Sequence, residues 1–166
     1  MPSPLGHALG GIAAGVAVGR SSGPADSSGR ARIAVFAVLG AAADLDLLFG
    51  THSTYSHSIG AVGAIAVLAA VFLMRQPGRW TLVAALAAAY ASHLALDWFN
   101  TDYASPVGIM ALWPFSTAHY HAGFAIFPPV SRDFGAAWFL PTNAWAATFE
   151  ILVLGPLALL AVRRRT

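Results

Sequence analysis

The residues able to do chemistry in this chain are six histidines and seven acids. Their spacing is the first clue to what they do. His93 and Asp97 are four apart, so on a helix they share one face with side chains about 6 Å from each other. That is the reach of two ligands on one metal ion, or on adjacent ions. Asp44 and Asp46 are two apart and diverge on a regular helix. One of them can ligate while the other caps a helix, binds a second ion or orients a histidine. His7 lies near the start of the chain, and His52 and His57 bracket a short polar segment. His119 and His121 sit in a long aromatic stretch, and Glu150 in a late apolar run. Carboxylate and neutral imidazole together suit a divalent cation. The candidate ligand set is therefore His7, Asp44, Asp46, His57, His93, Asp97, His119, His121 and Glu150. Taken singly, His52, His119 and His121 fit hydrogen-bonded anchors at a membrane surface better than ligands. Asp102 and Asp133 read as solvated loop residues. The hydroxyl-rich segment Thr51 to Ser58 is a source of supporting donors.

The elements that position these groups are apolar. Of 166 residues, 57% are hydrophobic and 10% charged, against about 25% charged in an average soluble domain. Mean hydropathy is +0.66. A soluble domain of this size keeps too much surface exposed to hide that many apolar side chains. Five apolar runs of about 15–20 residues are candidate spans: 5–19, 31–50, 57–74, 80–99 and 144–162. The expected fold is all-α, a polytopic helical membrane protein forming a single domain over 1–166. A polar loop falls at 20–30, a tight turn at Gln76-Pro77-Gly78, and a long outer loop at 100–143. Gly11, Gly15 and Gly19 recur every fourth residue, which lets a second helix approach closely.

Charge placement orients the bundle. The nine basic residues are all arginine. Arg20, Arg30 and Arg32 flank the first loop, Arg75 and Arg79 the third, and Arg163, Arg164 and Arg165 follow the last span. Five alternating spans put these eight on one side, which the positive-inside rule makes cytoplasmic. Arg132 alone falls opposite. All six histidines and every acid except Asp26 then lie on the outer side. Asp44, His93 and Glu150 are each about six residues inside their spans, roughly 9 Å deep at about 1.5 Å per residue. Ionisable groups at such depth cost about 2.5–3.5 kcal/mol each on insertion scales and face a protein-lined or watery cavity. A proton relay would need acids spread across the membrane, and the cytoplasmic half lacks them. The net charge of +2 gives no case for nucleic acid. The absence of cysteine removes disulfides and thiolate ligands. The N-terminal stretch lacks the basic residue and compact apolar run of a cleavable signal. Tyr103, Trp113, Phe115, Tyr120, Phe124, Phe127, Phe134, Trp138 and Phe139 read as an interfacial aromatic belt.

Pro4-Leu5-Gly6-His7, Ala43-Asp44-Leu45-Asp46, His52 to His57-Ser58, Ser92-His93-Leu94-Ala95-Leu96-Asp97 and Leu112-Trp113-Pro114-Phe115-Ser116 occur in that order. Together they resemble the LexA-regulated, membrane-bound metal-dependent hydrolase family over roughly residues 3–121. Two departures stand out. Ala43 replaces the proline that usually precedes Asp-Leu-Asp, and Thr51-His52-Ser53 stands where a His-Arg pair is expected. The ligand order is also distantly similar to that of the zinc-dependent phospholipase C and P1-type nuclease group. That likeness implies His7, Asp46 or Asp44, His57, His93 and Asp97 as ligands, with Asp97 bridging.

These readings lead to one expectation: a membrane-embedded metal-dependent hydrolase of a phosphoester or other ester. The cofactor is a divalent metal, one to three ions, zinc first with manganese or iron as alternatives. The metal lowers the pKa of water and polarises the scissile group. Asp44 or Asp46 accepts the water proton. No Gly-x-Ser-x-Gly elbow supports a serine nucleophile. The expected partners are membrane lipids and a lipid-like substrate, met at the extracytoplasmic face of the inner (plasma) membrane by a multi-pass protein. The rival is a non-catalytic metal-binding or transport membrane protein. Metal-retaining variants of the two aspartates distinguish them by turnover.

Overall fold

The computed structural model describes residues 1–19, 27–50, 52–100 and 106–163. Arg20, Asp26, Thr51, Asp102, Tyr103, Arg164 and Arg165, with most of the 20–30 loop, lie outside the described residues. Among the described residues there are five α-helices and no strand: α1 (Pro4–Val18), α2 (Ser27–Ala41), α3 (Ile59–Phe72), α4 (Arg79–Trp98) and α5 (Phe139–Arg163). A 3-10 helix, Ala42–Phe49, follows α2 directly.

The helix starts follow local chemistry. Ser3 caps α1 by accepting from the Gly6 amide, and Pro4 occupies the first turn, where no amide hydrogen is needed. Ser58 caps α3 in the same way through the Ala61 amide. Gly78 takes a left-handed conformation, φ 68°, to turn the chain into α4.

The all-helical expectation holds, and two of the five expected spans stand by length and composition. Among the described residues, α4 and α5 alone are long and apolar enough to cross a membrane. α1 and α3, of 15 and 14 residues, are apolar but reach about 21–22 Å at about 1.5 Å per residue, short of a hydrocarbon core of about 30 Å. The run 31–50 is not one helix. It ends as α-helix at Ala41 and tightens into the 3-10 turn that carries both aspartates. The last helix starts at Phe139, five residues before the expected boundary.

α1 is the centre of the bundle, packed on α2, α4 and α5, while α3 packs on α4. The glycine repeat is what allows this. A Cβ on Gly11 would collide with the Phe36 carbonyl and the Gly40 backbone, and one on Gly15 with the Phe36 ring. Gly10 faces Ser92 and Leu96, whereas Gly19 faces Ala85, so α4 runs antiparallel to α1. Gly6 meets Glu150 and Val16 shares a core with Ala161, so α5 runs parallel to it. One core joins Val16, Phe36, Ala85, Ala89 and Ala161. A second joins Ala43, Tyr90, Leu94, Ile109 and Ala111 beneath the polar residues.

The described part of the long connection has no helix before α5. It is laid across the ends of α3 and α4 by backbone hydrogen bonds. Ile59 and Gly60 amides donate to Ala111 and Trp113, Met110 to Ser53, and Ala122 and Ile126 to Trp98 and Phe99. Its aromatics divide. Phe115, Phe124, Phe134 and Trp138 are exposed, whereas Phe127 is buried.

Candidate metal centre

Four elements converge where α1 and α3 begin and α2 and α4 finish. His7 comes from the first turns of α1, and Asp44 and Asp46 from the 3-10 turn after α2. His57 precedes the cap of α3, and His93 and Asp97 end α4. His7, His57 and His93 have no solvent exposure, and Asp97 is 4% exposed.

The 3-10 turn explains why both aspartates reach the site. With about three residues per turn, positions two apart diverge by about 120°, against about 160° on an α-helix. Asp44 and Asp46 therefore grip opposite edges of one ring. Asp44 Oδ1 is 3.6 Å from His57 Nε2, and Asp46 Oδ2 is 3.1 Å from His57 Nδ1.

Hydrogen bonds fix which imidazole nitrogens face inward. His93 Nδ1 lies 2.7 Å from the Gly40 carbonyl, which only accepts, so Nδ1 carries a proton and the neutral ring presents its lone pair at Nε2. Ser56 Oγ donates to Asp46 Oδ2 at 2.7 Å and stands 3.0 Å from His57 Nδ1. His57 therefore donates outward from Nδ1, and its Nε2 also faces inward. The two Nε2 atoms are 3.1 Å apart, so with both rings neutral their lone pairs face each other, and a proton or a metal cation between them relieves the opposition. Two nitrogens on one tetrahedral zinc, each at about 2.0–2.1 Å, stand about 3.3 Å apart.

Both central carboxylates split their oxygens between two compartments. Asp97 Oδ1 is 3.4 Å from His7 Nε2, while Oδ2 is 3.4 Å from His57 Nε2 and 3.2 Å from His93 Nε2. Asp44 Oδ2 is 3.9 Å from His7 Nε2, while Oδ1 is 3.5 Å from His93 Nε2. The His7 and His93 rings stack with centroids 3.6 Å apart. His7 Nδ1 and Nε2, Asp44 Oδ1 and both Asp97 carboxylate oxygens are buried with no hydrogen-bond partner. Buried polar groups are ordinarily satisfied, and a divalent cation satisfies this set. Among the described residues, three sets of ligand atoms are close enough to hold an ion: His7, His93 and Asp97; Asp44, His57 and His93; Asp46, His52 and His57.

The remaining candidates lie elsewhere. Asp46 sits on the far side of His57, engaged by His52 Nδ1 at 3.0 Å, by Ser56 and by His57. Glu150 is fully buried but belongs to the α1 cap, where it accepts from the Ser3 amide at 2.6 Å and from the Ser3 hydroxyl. His121 is exposed, and its Nδ1 accepts from the Gly123 amide at 3.0 Å. Neither it nor His119 joins a metal-holding set among the described residues. Sequence reasoning ranked His52 low and missed Ser3 and the Gly40 carbonyl. Ser3-Pro4 was a readable helix start, but a backbone carbonyl leaves no mark in sequence.

No curated protein and no solved structure matches this chain. The model of the YdjM inner membrane protein family matches residues 1–164, and the chain belongs to that family.

Proposed function

We propose that this protein is a metal-dependent hydrolase embedded in the inner membrane, cleaving a phosphoester or other ester of a lipid or lipid-linked substrate at the extracytoplasmic face. The observation that carries this reading is the pair of inward-facing Nε2 atoms of His57 and His93, framed by two carboxylates that each divide their oxygens. The residues that would hold the metal are His7, His57, His93 and Asp97, with Asp44 at the edge of the cluster. Zinc suits this donor set, with manganese or iron as alternatives. When bound, such ions supply Lewis acidity to the scissile group and acidify water.

The chain's own residues do the rest. Asp44 is the assigned proton acceptor, because its Oδ1 accepts no hydrogen bond and faces the cluster. Asp46 orients His57 and fixes its tautomer, as carboxylates beside ligating histidines commonly do. A small cavity beside Asp97 is lined also by Met1, Ser53, Asn100, Gly108 and Ile109, and it is the assigned place for water. Leu45 and Leu47 alternate with the two aspartates, Leu48 and Phe49 follow them, and all four are exposed, Leu48 at 78% and Phe49 at 82%. In a membrane that turn brings lipid beside the acids, which favours a substrate arriving sideways.

The finer topology belongs to the same proposal. The chain is one transmembrane unit with about five spans, its short helices crossing with help from neighbours. The cluster ends of the helices face outward and the arginine ends inward, by the positive-inside rule. The likeness to the LexA-regulated membrane-bound hydrolases, and the more distant one to zinc-dependent phospholipase C and P1-type nuclease, supports hydrolysis through motif order alone.

The test is turnover. Purified protein in detergent micelles containing phospholipid is assayed for release of headgroup or phosphate, beside Asp44→Asn that still holds metal. Loss of turnover in that variant supports the reading. Full turnover in it removes Asp44 as the base, and no hydrolysis of any phospholipid, ester or lipid-linked phosphate by the metal-loaded wild type overturns the enzyme reading.

A further inference from the structure

Helix α5 supplies no ligand, yet it carries a fully buried acid, Glu150. Its carboxylate accepts two hydrogen bonds, both from Ser3: one from the amide at 2.6 Å and one from the hydroxyl. Ser3 is the N-cap of α1. Its hydroxyl also accepts from the Gly6 amide at 3.3 Å, and its carbonyl accepts from the His7 amide at 3.0 Å. A Cβ on Gly6 would stand 2.7 Å from the Glu150 carboxyl carbon, so the carboxylate lies flat against the first turn. An acid there also complements the positive end of the helix dipole.

His7 is the ligand that most needs such support. His93 is held by Gly40 and His57 by Asp46 and Ser56. Neither ring nitrogen of His7 has a hydrogen-bond partner. Its position is set by the backbone of the first two turns of α1 and by its stacking on His93.

We propose that Glu150 is a positioning residue for the metal centre, a latch from α5 that holds the first turn of α1 so that His7 meets Asp97 and Asp44. This rests on the metal reading above. It also explains a buried acid in the middle of an apolar helix, where its insertion cost demands a role.

The experiment measures cobalt(II) affinity of the full chain, purified without metal, for the wild type, Glu150→Ala, Glu150→Gln, Ser3→Ala, His7→Ala and the His7→Ala/Glu150→Ala pair. Glu150→Ala is expected to weaken binding at least about tenfold, as loss of an orienting partner does. Ser3→Ala, which leaves α5 untouched, weakens it too. Glu150→Gln keeps an oxygen for the Ser3 amide and recovers part of the loss. On the His7→Ala background Glu150→Ala adds no further loss, because the latch acts through His7. Wild-type affinity in Glu150→Ala, or fully additive losses in the pair, overturns the latch alone. Failure of the wild type to bind cobalt overturns the metal reading and the latch with it.

Discussion

His57 holds one aspartate at each edge of its ring, Asp46 3.1 Å from Nδ1 and Asp44 3.6 Å from Nε2. Two acids that are near neighbours in sequence thus take different tasks, one aiming the imidazole outward and the other sharing the space into which Nε2 points. Asp46→Asn is therefore expected to keep the metal stoichiometry and lower affinity about 10–100-fold. Asp44→Asn is expected to reduce turnover far more than binding. Competition with a chromogenic chelator reads the first and product release the second. Equal losses of affinity in the two variants would remove the distinction.

Gly40 joins α2 to the site twice. A Cβ there would collide with the His7 carbonyl and with Gly11, and its own carbonyl holds His93. Gly40→Ala is expected to cost about 1–3 kcal/mol as an overpacked contact and to weaken metal binding. Gly63→Ala on α3, with nothing within 4 Å of the added carbon, is the control and should melt as the wild type does. Thermal melting in detergent checks both.

Much of the site was legible in sequence, and the part that was not has a physical cause. His93 and Asp97 declared themselves because the four-residue period of a helix dictates a shared face. Position along an apolar run also reads from sequence, and on it Asp44, His93 and Glu150 share one level. Azimuth does not, and Glu150 faces Ser3 rather than the histidines. The switch from α to 3-10 at Ala42 left no mark in the hydropathy of 31–50, so Asp44 and Asp46 read as divergent when both reach His57. Composition made the helices legible, but the runs 31–50 and 57–74 continue through turns and caps beyond their helices, and the last helix starts five residues earlier than its run; among the described residues, α4 and α5 alone are long and apolar enough unaided.

Metal should also stabilise the fold, because an ion held by these residues would join α1, the segment before α3, and α4, beside the 3-10 turn. Free metal at about 100 times its dissociation constant adds about 2.7 kcal/mol. Chelator treatment is expected to lower the melting temperature, and restoring zinc to recover it. A melting temperature indifferent to both treatments contradicts the bridging role.

The proposed orientation predicts opposite accessibilities. The chain has no native cysteine, so single cysteines report cleanly. Asp133→Cys in the long loop should react with an impermeant maleimide in cells whose inner membrane is intact, whereas Gln76→Cys, between α3 and α4, should react only after that membrane is opened. The reverse pattern inverts the topology.

The central claim is that a metal lies between His57 Nε2, His93 Nε2 and the carboxylate of Asp97, with Asp44 beside it. Anomalous scattering at transition-metal edges from crystals of the purified protein tests it most directly. The expected result is an anomalous peak within bonding distance of those three side chains, with a second beside His7 when both compartments fill. Metal-replete crystals without a peak there, or with their only peak at Asp46 and His52, would contradict it.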